Sequence, residues 1–230
     1  MLRFVDATPE EVRSRIESIP DVVELPTKKG TWIIKVDGVK LKSLDKFLYL
    51  TGCRISEAVT LQRPYDSERV LNTGLDLTYR QDYFDDEKEI EVAVFNLKTL
   101  KRQDHVIRSI AIPVDEKYEP WARQLTYDLA RGNPFNIARQ HVWSANRIIF
   151  DGLYYSTPKS KKFKFKHLAN HGLRHIRIKE LIQTYGFTPV EVQRWVGWTA
   201  QTVGVNPQMD VYFSLVWRDY FSKLLKIRKT

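Results

Sequence analysis

Apolar residues recur along the chain at two different spacings, and these spacings predict its secondary structure. Residues three or four positions apart line one face of a helix, whereas alternating residues line one face of a strand. Thr8 and Thr188 each precede a proline and have a glutamate three residues later, which is the capping-box pattern of a helix start. The predicted helices run over residues 9–19, 39–51, 56–61, 119–131, 137–150, 171–185, 189–196 and 211–224.

Alternating apolar residues in the middle of the chain predict a small antiparallel sheet. The alternating residues are Leu75, Leu77 and Tyr79, then Ile90, Val92 and Val94, then Ile107, Ile110 and Ile112. The polar segment 96–104 joins the last two strands and is predicted to be a hairpin tip. Residues 32–36 could be a strand or an extended linker, and Asp37-Gly38 after them is a turn pattern.

These elements predict an α+β fold that is mainly helical, with the antiparallel sheet on one side. We expect one domain over residues 1–230, which is long enough to bury a substantial core. No apolar run approaches the ~20 residues that a membrane-spanning helix needs. The single cysteine, Cys53, permits no internal disulfide, which fits a reducing compartment, and we interpret it as a buried packing residue.

The chain is basic, because 37 Lys and Arg against 28 Asp and Glu give a formal net charge of +9. Such a surplus is typical of proteins that bind nucleic acid. Lysines are concentrated between residues 159 and 166, where Phe163 and Phe165 separate them. We interpret this segment as a loop, and the pattern fits a solvated loop and a phosphate-contacting loop equally well.

The candidate chemistry begins at Asn170-His171-Gly172-Leu173-Arg174-His175. Asn170 is a good N-cap residue, and His171 and Arg174 share one face of the helix predicted to follow it. A helix start favours an anion. Arg54 lies on the predicted turn between two earlier helices, and its planar guanidinium suits a phosphate in the same way as that of Arg174. We therefore predict a phosphate site.

The motif Thr51-Gly52-x-Arg54-x-Ser56-Glu57 is followed by His171-x-x-Arg174-His175, then Val196-Gly197-Trp198, then Tyr212. In order and spacing this series resembles the catalytic domain of the tyrosine recombinase (phage integrase) family, over about residues 8–225. The resemblance implies that family's fold and a catalytic set in which Tyr212 is the nucleophile. The other members implied are Arg54 and Arg174 on the phosphate, Lys98 on the hairpin with Lys101 as its rival, His171 and Trp198.

The residues around this set also receive predicted roles, from their position in the sequence and their charge. Glu57 anchors the turn that bears Arg54, and His175 supports the helix that bears His171. The residues expected to bind DNA are Lys101, Arg102, Lys159, Lys161, Lys162, Lys164 and Lys166. We expect the family's separate N-terminal DNA-binding domain to be absent or truncated here. The stretch of 14 residues from Trp198 to Tyr212 is long for the family, which leaves open whether Tyr212 serves its own active site or a neighbour's.

The activity implied is site-specific DNA recombination or integration. Tyr212 would form a 3′-phosphotyrosine and release a 5′-hydroxyl, so that religation needs no ATP, no metal and no other cofactor. The partner implied is double-stranded DNA in the cytoplasm, with no membrane, on which a free monomer assembles as a tetramer across paired sites. A type IB topoisomerase or a telomere resolvase would share this chemistry, and a non-catalytic DNA-binding protein derived from an integrase is the alternative of another class.

Overall fold

The computed structural model describes residues 6–26, 32–59, 77–85, 88–99, 107–130, 135–159, 162–198 and 216–225. The helices are α1 (Pro9–Glu17), α2 (Gly38–Thr51), α3 (Ile55–Val59), α4 (Ala122–Ala130), α5 (Arg139–Ile149), α6 (Asn170–Gln183), α7 (Pro189–Val196) and α8 (Arg218–Phe221), the last followed by a 3-10 turn over Ser222–Leu225. The strands are β1 (Val22–Pro26), β2 (Ile33–Asp37), β3 (Leu77–Asp85), β4 (Lys88–Lys98), β5 (Ile107–Pro113), β6 (Tyr154–Lys159) and β7 (Lys162–His167). The chain is therefore a mixture of helices and small antiparallel sheets, as expected for an α+β fold.

The sheet predicted from alternating apolar residues is confirmed. Strand β4 lies between β3 and β5 and pairs antiparallel with both. All four residues from Val92 to Phe95 are buried, so β4 is covered on both of its faces. In the described residues, no helix is long and apolar enough to cross a membrane.

Contacts along the chain group it into two compact units, each made of two separate segments. The first unit comprises Met1–Val59 with Pro134–Ile178, and the second comprises Thr60–Asn133 with Lys179–Thr230. The periodicity of the sequence carries no signal for this division, since it reports only on neighbours within one element. A single domain over the whole chain stays a prediction.

In the first unit, α1 begins as predicted, because Thr8 and Glu11 form the reciprocal capping box. The predicted turn at Asp37-Gly38 is wrong. Asp37 ends β2 and is the N-cap of α2, where its carboxylate accepts a hydrogen bond from the backbone N–H of Lys40 at 3.0 Å. Strand β2 is real and pairs antiparallel with β1, a strand that the sequence pattern did not predict.

The basic segment before α6 is not a loop. Strands β6 and β7 form an antiparallel hairpin in which Tyr154 pairs with His167 and Lys159 pairs with Lys162. The signal was present in the sequence, because lysine and phenylalanine alternate strictly from Lys162 to Lys166, which is strand periodicity. The hairpin therefore leads directly into α6.

In the second unit, α7 begins at the predicted capping box of Thr188 and ends at Gly197, whose φ of 69° is left-handed. The rings of Phe187, Trp195 and Tyr220 pack together with centroids 5.3–6.1 Å apart. The long C-terminal helix predicted from residue 211 is wrong in its described part. Val216 lies outside a helix and is exposed, and the helix begins only at Arg218.

Candidate functional site

The predicted phosphate site lies at the start of α6, which begins at Asn170. Asn170 does not serve as the N-cap; it is the first helical residue, and its side-chain oxygen accepts a hydrogen bond from Asn146 of α5 at 2.9 Å. Asn146 also donates to Asp45 of α2 at 2.8 Å. All three side chains are buried, so this network ties the start of α6 to two other helices of the same unit.

The carboxyl of Asp45 is predominantly protonated at neutral pH. Its complete burial raises the pKa to about 8, and the hydrogen bond from Asn146 opposes this rise only in part. An ionised carboxylate in such a site would cost several kcal/mol without a cation to pair with it. The network that holds α6 is thus one of neutral hydrogen bonds.

Arg54 lies on the turn between α2 and α3. The turn starts at Gly52, whose φ of 59° closes α2 in a left-handed conformation. The buried carboxylate of Glu57 accepts from the backbone N–H of Arg54 and from its Nη1, both at 2.9 Å. A guanidinium carries five N–H donors, so this ion pair orients Arg54 and leaves capacity for an anion.

Arg174 joins this turn to α6. Its guanidinium is buried, and Nη1 donates to the carbonyl oxygen of Gly52 at 2.7 Å, two residues before Arg54. The two arginine motifs, which are 120 residues apart in the sequence, therefore meet in the first unit. Both guanidiniums lie close enough to His171 to lower the pKa of its imidazole.

His171 and His175 form a pair on α6, with 3.3 Å between their Nε2 atoms. Partial burial, then the neighbouring His175, Arg174, Arg54 and Lys166, lower the pKa of His171 to about 4. The pKa of His175 is also lowered, chiefly by burial. Both rings are thus neutral at pH 7, and a neutral imidazole has one donor and one acceptor nitrogen, which suits the contact between them.

Arg54 and His171 border a groove of about 750 Å³ on the first unit, whereas Arg174 and His175 lie behind its lining residues. Its described lining is Cys53, Arg54, Ile55, Ser56, Arg139, Gln140, Trp143, Tyr155, Lys166, His167, Ala169, Asn170, His171 and Gly172. Arg54, Arg139 and Lys166 carry positive charge, and among these lining residues there is no carboxylate. Such a groove favours a polyanion.

Tyr155 of β6 forms the floor beside the histidine pair. Its ring centroid lies 5.0 Å from that of His175. Gly172 makes this close packing of α6 on β6 feasible, since a Cβ there would lie 3.1 Å from Tyr155 and 2.9 Å from Leu168. The motif therefore has glycine at residue 172 because a larger residue would clash with these two side chains.

The remaining predicted catalytic residues are not brought to this groove by any described contact. Trp198 belongs to the second unit, where its backbone N–H donates to the carbonyl of Gln193 at 3.1 Å. Lys98 ends β4 and pairs with Ile107, and only its backbone is described. Tyr212 lies outside the described residues.

The predicted DNA-binding lysines are also only partly described. Lys166 is exposed and lines the groove. For Lys159, Lys162 and Lys164 the structure describes only the backbone, in the β6–β7 hairpin. Lys101, Arg102 and Lys161 lie outside the described residues.

Sequence reasoning missed the contribution of α5 to the groove. Arg139, Gln140 and Trp143 line it and are exposed. A signal was available, because Trp143 interrupts the polar face of a helix whose apolar face contains Val142 and Ala145. A large aromatic residue on the polar face of a helix indicates a binding surface, because a residue that packs in the core would lie on the apolar face.

In the described part of the chain, no cluster of three or more His, Cys, Asp and Glu side chains is arranged to hold a metal. Comparisons with protein-family models, with curated proteins and with solved structures returned no significant match.

Proposed function

We propose that this chain is the catalytic domain of a site-specific DNA strand-exchange enzyme of the tyrosine recombinase type. The observation that carries the proposal is the hydrogen bond from Arg174 to Gly52, which joins the two arginine motifs. The cationic groove beside them supports a DNA phosphate as the ligand.

The arginines would act on the phosphate that is cleaved. A phosphodiester under attack gains negative charge on its non-bridging oxygens, and fixed N–H donors stabilise that charge more than the charge of the ground state. Arg54 is pre-oriented by Glu57, and Arg174 by the Gly52 carbonyl. Donors held in this way need little reorganisation during the reaction.

The proton transfers involve three further side chains in this proposal. The phenol oxygen of Tyr212 attacks the phosphorus and forms the phosphotyrosyl bond, and its proton passes to the neutral imidazole of His171. Lys98 protonates the departing 5′-oxygen, and the indole N–H of Trp198 donates to the phosphate. The new bond conserves the energy of the broken one, so rejoining to another 5′-hydroxyl needs no ATP.

A covalent-trapping experiment tests the nucleophile. The wild-type chain is incubated with a pool of nicked duplexes that are randomised around the nick, and adducts are detected by denaturing electrophoresis. We expect an adduct that disappears in Tyr212→Phe and remains in Tyr220→Phe. Tyr220 is a suitable control because it is buried against Phe187 and Trp195 in the second unit.

The outcomes separate the alternatives. Adduct loss in Tyr220→Phe but not in Tyr212→Phe would show that the nucleophile is misassigned. Relaxation of a supercoiled plasmid without a partner site would favour a type IB topoisomerase. DNA binding with no adduct on any duplex would identify a non-catalytic DNA-binding protein and would refute the enzymatic proposal.

A further inference from the structure

Helix α5 carries a row of three exposed side chains that the proposed reaction does not use. Arg139, Trp143 and Arg147 are four residues apart, so they lie on successive turns of one helix face. The row extends about 12 Å along the helix. Trp143 is 49% exposed although it is one of the most apolar side chains.

Trp143 stands between two grooves of the first unit. It lines the cationic groove that holds Arg54, and it also lines an adjoining groove of about 460 Å³ together with Arg147. The Arg147 guanidinium lies 5.0 Å from the centroid of the Trp143 ring, a cation–π contact that orients the indole. The row thus leads from the candidate phosphate site into the second groove.

We propose that this row binds a single-stranded DNA segment next to the phosphate held at the candidate site. Arg139 and Arg147 bind its phosphates, and an unpaired base stacks on Trp143. The inference rests on the proposed function, since it takes DNA as the ligand of the adjoining groove.

The indole favours a single strand over a duplex for a geometric reason. Bases within a duplex are stacked on both faces, so none can lie flat against a protein side chain, whereas an unpaired base can. Charge agrees with this assignment in the first groove, which has no carboxylate among its described lining residues. The second groove is lined by Asp151 as well as by Arg147, so the attraction there is weaker.

The test compares a blunt duplex with the same duplex carrying a short single-stranded extension, at its 5′ end or at its 3′ end. Fluorescence anisotropy gives the dissociation constant of the full chain for each. We expect one extension to tighten binding, and Trp143→Ala to remove roughly a tenfold gain while Trp143→Phe keeps most of it. Trp32→Ala is the matched control, because Trp32 is 77% exposed and is not among the lining residues of either groove.

Two further measurements keep the test decisive. A 2-aminopurine base in the extension should be quenched by the wild type but not by Trp143→Ala. Arg139→Ala, at the exposed start of α5, should weaken binding of the extended duplex and lower the salt dependence of that binding by about one phosphate contact.

Equal binding of the extended duplex by the wild type and Trp143→Ala, with no quenching in either, would overturn the inference. If the wild type still formed the Tyr212 adduct in that case, the proposed function would stand and only the single-strand inference would fail. If the wild type bound no DNA and formed no adduct, both would fail together.

Discussion

The guanidinium of Arg174 makes one observed contact and has one proposed role. It donates to the Gly52 carbonyl at 2.7 Å, and in the proposed reaction it also binds the phosphate. A planar fork with five donors can do both, whereas the ammonium of a lysine is a point charge without this geometry. An arginine at residue 174 therefore fits both the observed contact and the proposed role.

Arg174→Ala should lower the rate of adduct formation by roughly 10²–10³-fold, as removal of one oxyanion donor does in other enzymes. Arg174→Lys should recover only a part of that loss. The rate is measured by single-turnover trapping on the nicked duplex and corrected for the folded fraction from circular dichroism. If unfolding fully explained the lower rate of adduct formation, Arg174 would have only a structural role and the catalytic role would be refuted.

Asp45 makes stability depend on pH. Its folded pKa is about 8 against an ordinary 3.8, so the folded state holds a proton that the unfolded state releases. This contribution to the free energy of unfolding is complete below about pH 4 and declines as the pH rises through about 8. Asp45→Asn keeps an oxygen that accepts the hydrogen bond from Asn146 and has no carboxyl proton to lose.

We therefore expect the difference in Tm between Asp45→Asn and the wild type to grow in favour of the variant from pH 5 to pH 8. Thermal unfolding followed by circular dichroism measures it. Asp21→Asn, the same substitution at an exposed position, is the control. A Tm difference that stays constant with pH would mean that Asp45 is ionised in the folded protein.

At the scale of elements, local signals located most helices correctly. The capping boxes at Thr8 and Thr188 and the glycines that end α2 and α7 each act within one turn of backbone. The prediction was wrong where the same residue types are common in two local structures. Asp37-Gly38 is a turn pattern, yet Asp37 caps α2. A residue without a side chain is needed at position 38, because the backbone approaches residue 21 closely there and the Gly38 N–H donates to the Asp21 carbonyl at 2.7 Å.

Gly38→Ala should be strongly destabilising although alanine is the better helix former. A Cβ at residue 38 would lie 1.7 Å from the backbone oxygen of Pro20, so the backbone must move. We expect a loss of more than about 2 kcal/mol in the free energy of unfolding, which exceeds the ~1 kcal/mol gained in helix propensity.

Urea denaturation measures the effect of this substitution. Gly152→Ala is the comparison, since Gly152 has a φ of 80° but nothing within 4 Å of an added Cβ. Its cost should be backbone strain alone, about 1–2 kcal/mol. Equal losses in the two variants would contradict the steric explanation for Gly38.

At the scale of the whole molecule, net charge and motif order were readable from the sequence, whereas the division into two units was not. Each unit combines segments from different parts of the chain. Of the predicted catalytic residues, the structure unites Arg54, His171 and Arg174 with Glu57 and His175 in the first unit. The roles predicted for Lys98, Trp198 and Tyr212 stay predictions.

Local sequence is enough to predict the features that depend on neighbours within a few residues: helix starts, helix ends, the alternation of β4, and the position of His171 and Arg174 on one helix face. Which distant groups meet depends on the tertiary structure. The Gly52 carbonyl receives Arg174, Asn146 joins Asp45 to Asn170, and α5 supplies Arg139 and Trp143 to the groove. The physical reason is that backbone propensities and caps act over one turn of chain, whereas these contacts depend on how helices far apart in sequence pack together.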